Sequence, residues 1–117
     1  MMQRRRLMMA QHAVQINPDL IINTAALKAY KILSGKSAML TVHAVGDAAT
    51  IVVLDAGSNP VTFRKVAGPT VNDGVSTFQA IWYVFGNPGD ILIFTVILYD
   101  SLGRRSSNTK QVTVTIK

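Results

Sequence analysis

The 117-residue chain contains no cysteine and no glutamate. Without Cys there is no disulfide framework, no thiolate nucleophile and no Cys-based zinc or iron–sulfur site. Without Glu, any carboxylate chemistry must come from six Asp: Asp19, Asp47, Asp55, Asp73, Asp90 and Asp100. Histidine is scarce too, with only His12 and His43. Long apolar runs are also missing. The longest, Ile91 to Tyr99, is interrupted by Thr95 and falls far short of the ~20 residues of a helical membrane span. Near the start, Leu7 to Ala10 is broken off by Gln11 and His12, whereas a secretory apolar region needs roughly 7–15 residues. The expectation is a chain that is not exported by the usual route. Charged residues make up 15% against 49% apolar, which excludes extended disorder.

What is present reads as β-structure. Helical periodicity is confined to Leu7–Val14, which has no capping residue before it. Asn17-Pro18-Asp19 forms a turn signal, and the expected division is a basic arm over 1–19 and a domain over 20–117. Beyond it, short alternating runs are punctuated by Gly, Pro, Asn and Asp. The spacing predicts seven strands: Leu27–Ile32, Ser37–Val45, Thr50–Leu54, Val61–Val66, Ser76–Phe85, Ile91–Tyr99 and Lys110–Lys117. In the second, Ala38, Leu40, Val42 and Ala44 share one face; Met39, Thr41 and His43 share the other. Seven strands with turn signals every eight to twelve residues is the pattern of an all-β, antiparallel sandwich.

Little in the sequence carries chemistry. His43 falls on an outward face with no acid–base partner in its pattern. Two histidines so far apart in sequence do not supply a metal site. Each Asp stands beside Gly, Pro, Asn or Ser at a strand end, where a carboxylate accepts hydrogen bonds from turn N–H groups. No Asp-x-Asp-x-Asp spacing suggests calcium, and the dispersed glycines form no phosphate-binding loop. The expectation is no catalytic residue, no metal and no cofactor.

The segment Ile91-Leu92-Ile93-Phe94-Thr95-Val96-Ile97-Leu98-Tyr99-Asp100-Ser101-Leu102-Gly103, followed by Gln111-Val112-Thr113-Val114-Thr115-Ile116, resembles the last two strands of bacterial and phage immunoglobulin-like domains, a group that includes fibronectin III-like sandwiches. These end on an aromatic and Val-rich strand, an Asp-x-x-Gly turn and a Val-Thr-Val-Thr strand. The resemblance implies an immunoglobulin-like sandwich and names no activity. Leu92 stands where many relatives place a corner tyrosine, and there is no Cys pair. The opening Arg-Arg-Arg-Leu-Met-Met is similar to short openings of gut phage structural proteins.

Two features point to binding. The arm holds Arg4, Arg5 and Arg6, three of the chain's +6 net charge, beside Leu7, Met8, Met9, Val14 and Ile16. Arginines among adaptable apolar side chains suit an acidic groove on a protein partner. They also suit phosphates, but no aromatic interleaves them to stack on bases, so nucleic acid ranks behind protein. The second feature is a strand apolar on both sides. With Leu92, Phe94, Val96 and Leu98 inward, Ile91, Ile93, Ile97 and Tyr99 face out. Ser76–Phe85 repeats the pattern with Ile81, Tyr83 and Phe85. Either another part of the chain covers these residues, or they form a subunit interface.

The combined expectation is a non-enzymatic virion protein assembled in a host cytoplasm, a decoration, cement or tail-associated module. Its expected partners are other virion proteins and copies of itself in a homo-oligomer or multi-copy assembly. The alternative is an adhesion or spacer module of a bacterial surface protein.

Overall fold

A computed structural model of the chain describes residues 15–117. The described residues are all-β, with no helix, and so none long and apolar enough to cross a membrane. The strands are β1 (Ile16–Asn17), β2 (Ile21–Leu27), β3 (Lys31–Ile32), β4 (Ser37–Val45), β5 (Thr50–Leu54), β6 (Lys65–Asn72), β7 (Val75–Tyr83), β8 (Ile91–Tyr99), β9 (Arg105–Ser106) and β10 (Lys110–Ile116). They form two sheets. One has the order β2-β4-β7-β6. The other runs β1-β9-β8-β10-β3, with β5 on the opposite side of β8.

Alternation explains why the sheets face each other. Ala38, Leu40, Val42 and Ala44 of β4 are fully buried, as are Phe78, Ala80 and Trp82 of β7. Opposite them lie Val53, Phe94, Val96, Leu98, Val112 and Val114. Each strand sends every second residue inward, so the two inner faces make one apolar core. Trp82, near the end of β7, packs in it edge-on to Phe94 at 5.2 Å and to Phe63 at 6.2 Å. Its Nε1 is buried without a hydrogen-bond partner among the described residues, a cost of about 1–3 kcal/mol that the aromatic packing must offset.

The strand pattern departs from the sequence expectation in the unexpected strand residues 21–26 and β9, and in three further places. Instead of one strand over Leu27–Ile32, the chain crosses between sheets. β2 ends at Leu27, Lys28–Tyr30 makes the crossing, and β3 pairs parallel with β10. The expected strand Val61–Val66 does not form over residues 61–64; β6 begins at Lys65 and, instead of stopping at Gly68-Pro69, runs through it to Asn72. The pairing with β7 shifts between Ala67 and Thr70, so a bulge absorbs the glycine and proline. At an edge strand the missing proline N–H costs no ladder bond. Gly68 is required there: its φ is +104°, and a Cβ would meet the Thr77 carbonyl oxygen at 2.5 Å. Third, Ile16 and Asn17, expected to belong to the arm, form β1 and pair parallel with β9.

The turn Asp residues behave as their neighbours suggest. Asp55 accepts from the N–H groups of Gly57 and Asn59, both at 2.9 Å, and Asp90 from Asn87 N–H at 2.8 Å. Asp100 is the most heavily bonded. Its carboxylate accepts from the N–H groups of Leu102 and Arg104, from Arg104 Nε at 2.8 Å and from Asn17 Nδ2 at 2.9 Å. Burial alone pushes this carboxyl up. The Arg104 N–H, the Asn17 amide, the Arg104 guanidinium and the Leu102 N–H outweigh it, and the group sits below its ordinary value. Its stabilising contribution is therefore fully present above the unfolded-state value of about 3.9 and is lost as pH falls through the lower folded value. Asp100→Asn should lower the melting temperature at about pH 7, and the gap from wild type should narrow towards about pH 3. Thermal unfolding followed by circular dichroism checks this; a gap that widens in acid would contradict the assignment.

Candidate interaction surface

Of the arm residues singled out in the sequence, Arg4, Arg5, Arg6, Leu7, Met8, Met9 and Val14 lie outside the described residues. Ile16 is 49% exposed. By register it lies in a row with Arg105, Tyr99 and Thr50 on the outer face of the six-stranded sheet.

The six residues expected to form one interface do not form one patch. β8 pairs with β5, β9 and β10, whereas β7 pairs with β4 and β6. Their outward side chains therefore lie on opposite faces of the two-layer structure. On the β8 side, Ile91 is 65% exposed and Ile93 is 44% exposed, while Tyr99 is half-buried at the far end of the strand. Ile97 points away from the core but is buried. Register places it beside Val52 of β5, between the Tyr99–Thr50 and Thr95–Leu54 rows. On the β7 side, Ile81 is half-buried in a shallow depression with Met39, Lys65, Ala67 and Gln79.

Three of the six do converge at one end of the molecule. Tyr83, Ile91 and Ile93 line a groove of about 390 Å³, together with Val61 and Phe85. The groove lies where β7 ends, β8 begins and the β5–β6 connection crosses over them. A second depression of similar size, about 390 Å³, shares Val61, Tyr83 and Phe85 and adds Phe63 and Arg64. Phe85 is 69% exposed and stands between the two. The Arg64 guanidinium lies 5.6 Å from the Tyr83 ring centroid, a cation–π contact at the rim. The surface is thus an apolar groove with Asp55 in its lining and Arg64 beside it.

Sequence reasoning missed Val61 as a member of this surface, whereas alternation already set Phe85 on the outward side with Ile81 and Tyr83. Phe85 continues the Ile81, Tyr83 alternation one step past the end of β7. Val61 follows Pro60, and its N–H bonds the Val53 carbonyl at 2.9 Å, which pins the crossover segment beside β5.

The opposite end has a different character. Asn17, Asp19, Asp47, Asp100 and Arg104 border a polar cavity of about 570 Å³ between the turns that follow β1, β4 and β8. His43 lies on the outer face of β4, exposed, with Nδ1 3.1 Å from Thr77 Oγ1. Among the described residues, no three His or Asp side chains converge as metal ligands would. No protein-family model matches this chain, and no curated protein matches it.

Proposed function

We propose that this protein is a non-enzymatic structural module of a virion, an immunoglobulin-like sandwich attached to its particle through the N-terminal segment. Strand order supports the fold part of this reading. The order β2-β4-β7-β6 against β5-β8-β10 corresponds to the two sheets of a constant-type immunoglobulin domain. The antiparallel pair β8 and β10 holds the segments whose sequence resembles bacterial and phage members of that group.

The observation that carries the functional part is the apolar surface at Tyr83, Phe85, Ile91 and Ile93. Large apolar side chains left this exposed, with Arg64 beside them, mark a protein contact. Arg4 to Arg6 supply a second, sequence-based attachment feature that suits carboxylates on a partner.

The test is a protein inventory, by mass spectrometry, of particles purified from the source. The chain is expected among the structural components; its absence overturns the reading. The attachment claim is tested by deleting residues 1–14, which leaves β1 and its pairing with β9 in place. The shortened protein should fold and no longer join particles. Ile93→Asp should also fold, because Ile93 is half-exposed, but should weaken assembly by burying a carboxylate in a contact. Normal incorporation of both variants would place attachment elsewhere.

A further inference from the structure

The two ends of the molecule differ in charge and in shape. The end formed by the β1–β2, β4–β5, β6–β7 and β8–β9 connections carries Asp19, Asp47, Asp73 and Asp100 against Arg104 and Arg105. The opposite end carries Lys28, Lys31, Lys36, Arg64, Lys65 and Lys117 against Asp55 and Asp90. Among the described residues one end is therefore net acidic and the other net basic.

Each end also bears half of a knob-and-groove pair. At the acidic end, Leu102 is 77% exposed at the tip of the turn after β8. That tip is braced. Asp100 Oδ1 accepts from the Leu102 N–H at 3.0 Å and the Arg104 N–H at 2.9 Å, and the Gly103 N–H donates to the Asp100 carbonyl at 3.1 Å. The brace fixes the backbone of the turn, so docking has only the Leu102 side chain left to order. At the basic end lies the groove between Tyr83, Phe85 and Ile91, with room for a leucine side chain. Asp55 is the charged residue that lines the groove itself, and Arg64 stands over Tyr83 in the adjoining depression that shares Tyr83 and Phe85. Lys36 is close by, because its carbonyl accepts from the Val84 N–H at 3.0 Å.

We infer that copies of this chain associate end to end, with Leu102 of one copy seated in the groove of the next. The acidic turns around Leu102 face Arg64 and Lys36 across the contact. Knob and groove are different surfaces, so the contact is heterologous and every pair keeps one free knob and one free groove. Association therefore continues beyond the dimer. Charge complementarity steers the ends together and makes the association sensitive to salt. This inference does not depend on the virion reading, since it is tested on the isolated protein.

The experiment is sedimentation velocity on the purified full chain, over a range of concentrations at about 0.1 M and about 1 M salt, where the screening length falls from about 10 Å to about 3 Å. At the lower salt the mean mass should rise with concentration past that of a dimer, and the higher salt should reverse it. Leu102→Asp blocks the knob and Phe85→Asp blocks the groove. Each alone should need at least about tenfold more protein to associate. Mixed in equal amounts, they should form a dimer and nothing larger, since one intact knob meets one intact groove. Both residues are exposed, so both variants should melt as wild type does. If Phe85→Asp melts lower, Arg64→Glu replaces it beside the groove. A wild type that stays monomeric, variants that associate like wild type, or a mixture that stays monomeric would each overturn the inference.

Discussion

Phe94→Ala is expected to destabilise the protein by about 3–5 kcal/mol, a large share of the ~5–15 kcal/mol that holds a domain together. Phe94 is 5% exposed and projects from the central strand β8 into the space between the sheets. It meets Trp82 edge-on at 5.2 Å, and that aromatic pair contributes about 0.5–1.5 kcal/mol beyond the buried area. Truncation removes the ring and leaves a cavity against a Trp already burdened with an unpartnered donor. Trp82 is the only tryptophan in the chain, so urea unfolding can be followed by its fluorescence. The contrast is Ile93→Ala, one residue away and half-exposed, which should cost far less. Equal losses from the two substitutions would mean that β8 buries its other face, because a one-residue slip exchanges every side chain between faces.

Asn108→Ala is expected to cost about 2–3 kcal/mol through lost hydrogen bonds rather than lost packing. Asn108 Oδ1 accepts from the Ile22 N–H at 2.8 Å, and Nδ2 donates to the Ile22 carbonyl at 2.9 Å. The amide side chain thus completes a backbone pair at the edge of β2, from the segment that joins β9 to β10 in the other sheet. Ile22 is 1% exposed, so its N–H and C=O would lose partners in a place that water reaches poorly. The same segment is fixed by Ser106, whose hydroxyl accepts from the Leu98 N–H at 3.2 Å and donates to the Asn108 carbonyl at 2.8 Å. Asn108→Asp separates this account from simple loss of contact. A carboxylate still accepts from the Ile22 N–H but faces the Ile22 carbonyl with like partial charge. It should be worse than Ala at neutral pH and should recover relative to Ala in acid, where the protonated carboxyl can donate. Thermal melts of the three proteins at two pH values decide it.

The parts of the fold that were legible in the sequence are those governed by local alternation. β4, β5 and β8 have the expected bounds, and Ala38 to Ala44 and Phe94 to Leu98 face inward as their spacing requires. The parts that were not legible depend on pairing between distant residues. Lys28 to Tyr30 continues an acceptable strand pattern, and only the pairing of Lys31 with Thr115 shows that the chain has changed sheets. Gly68-Pro69 reads as a stop, yet a bulge at an edge strand accommodates it. The groove has the same origin. Ile91, Ile93, Ile81 and Tyr83 were visible as surplus apolar residues. Which of them meet depends on β7 and β8 lying in different sheets, and on the β5–β6 crossover bringing Val61 to their ends. Alternation also gives the side on which Ile97 lies but not what surrounds it there.

The two short parallel strands have a consequence in time. β1 pairs with β9 through Ile16 and Arg105, and β3 pairs with β10 through Lys31 and Thr115. β1 and β3 are made before the strands they pair with, and must wait for β9 and β10. At roughly 5–20 residues per second, Ile16 waits about 5–20 s for its partner. The sheet β2-β4-β7-β6 can close once Tyr83 has emerged, while the other sheet cannot close until β10 has emerged. Such distant pairing is slow to form. A nascent chain stalled after β8 would present an unclosed sheet with Phe94, Val96 and Leu98 covered on one side only, the stage at which chaperone capture or coaggregation should be most frequent.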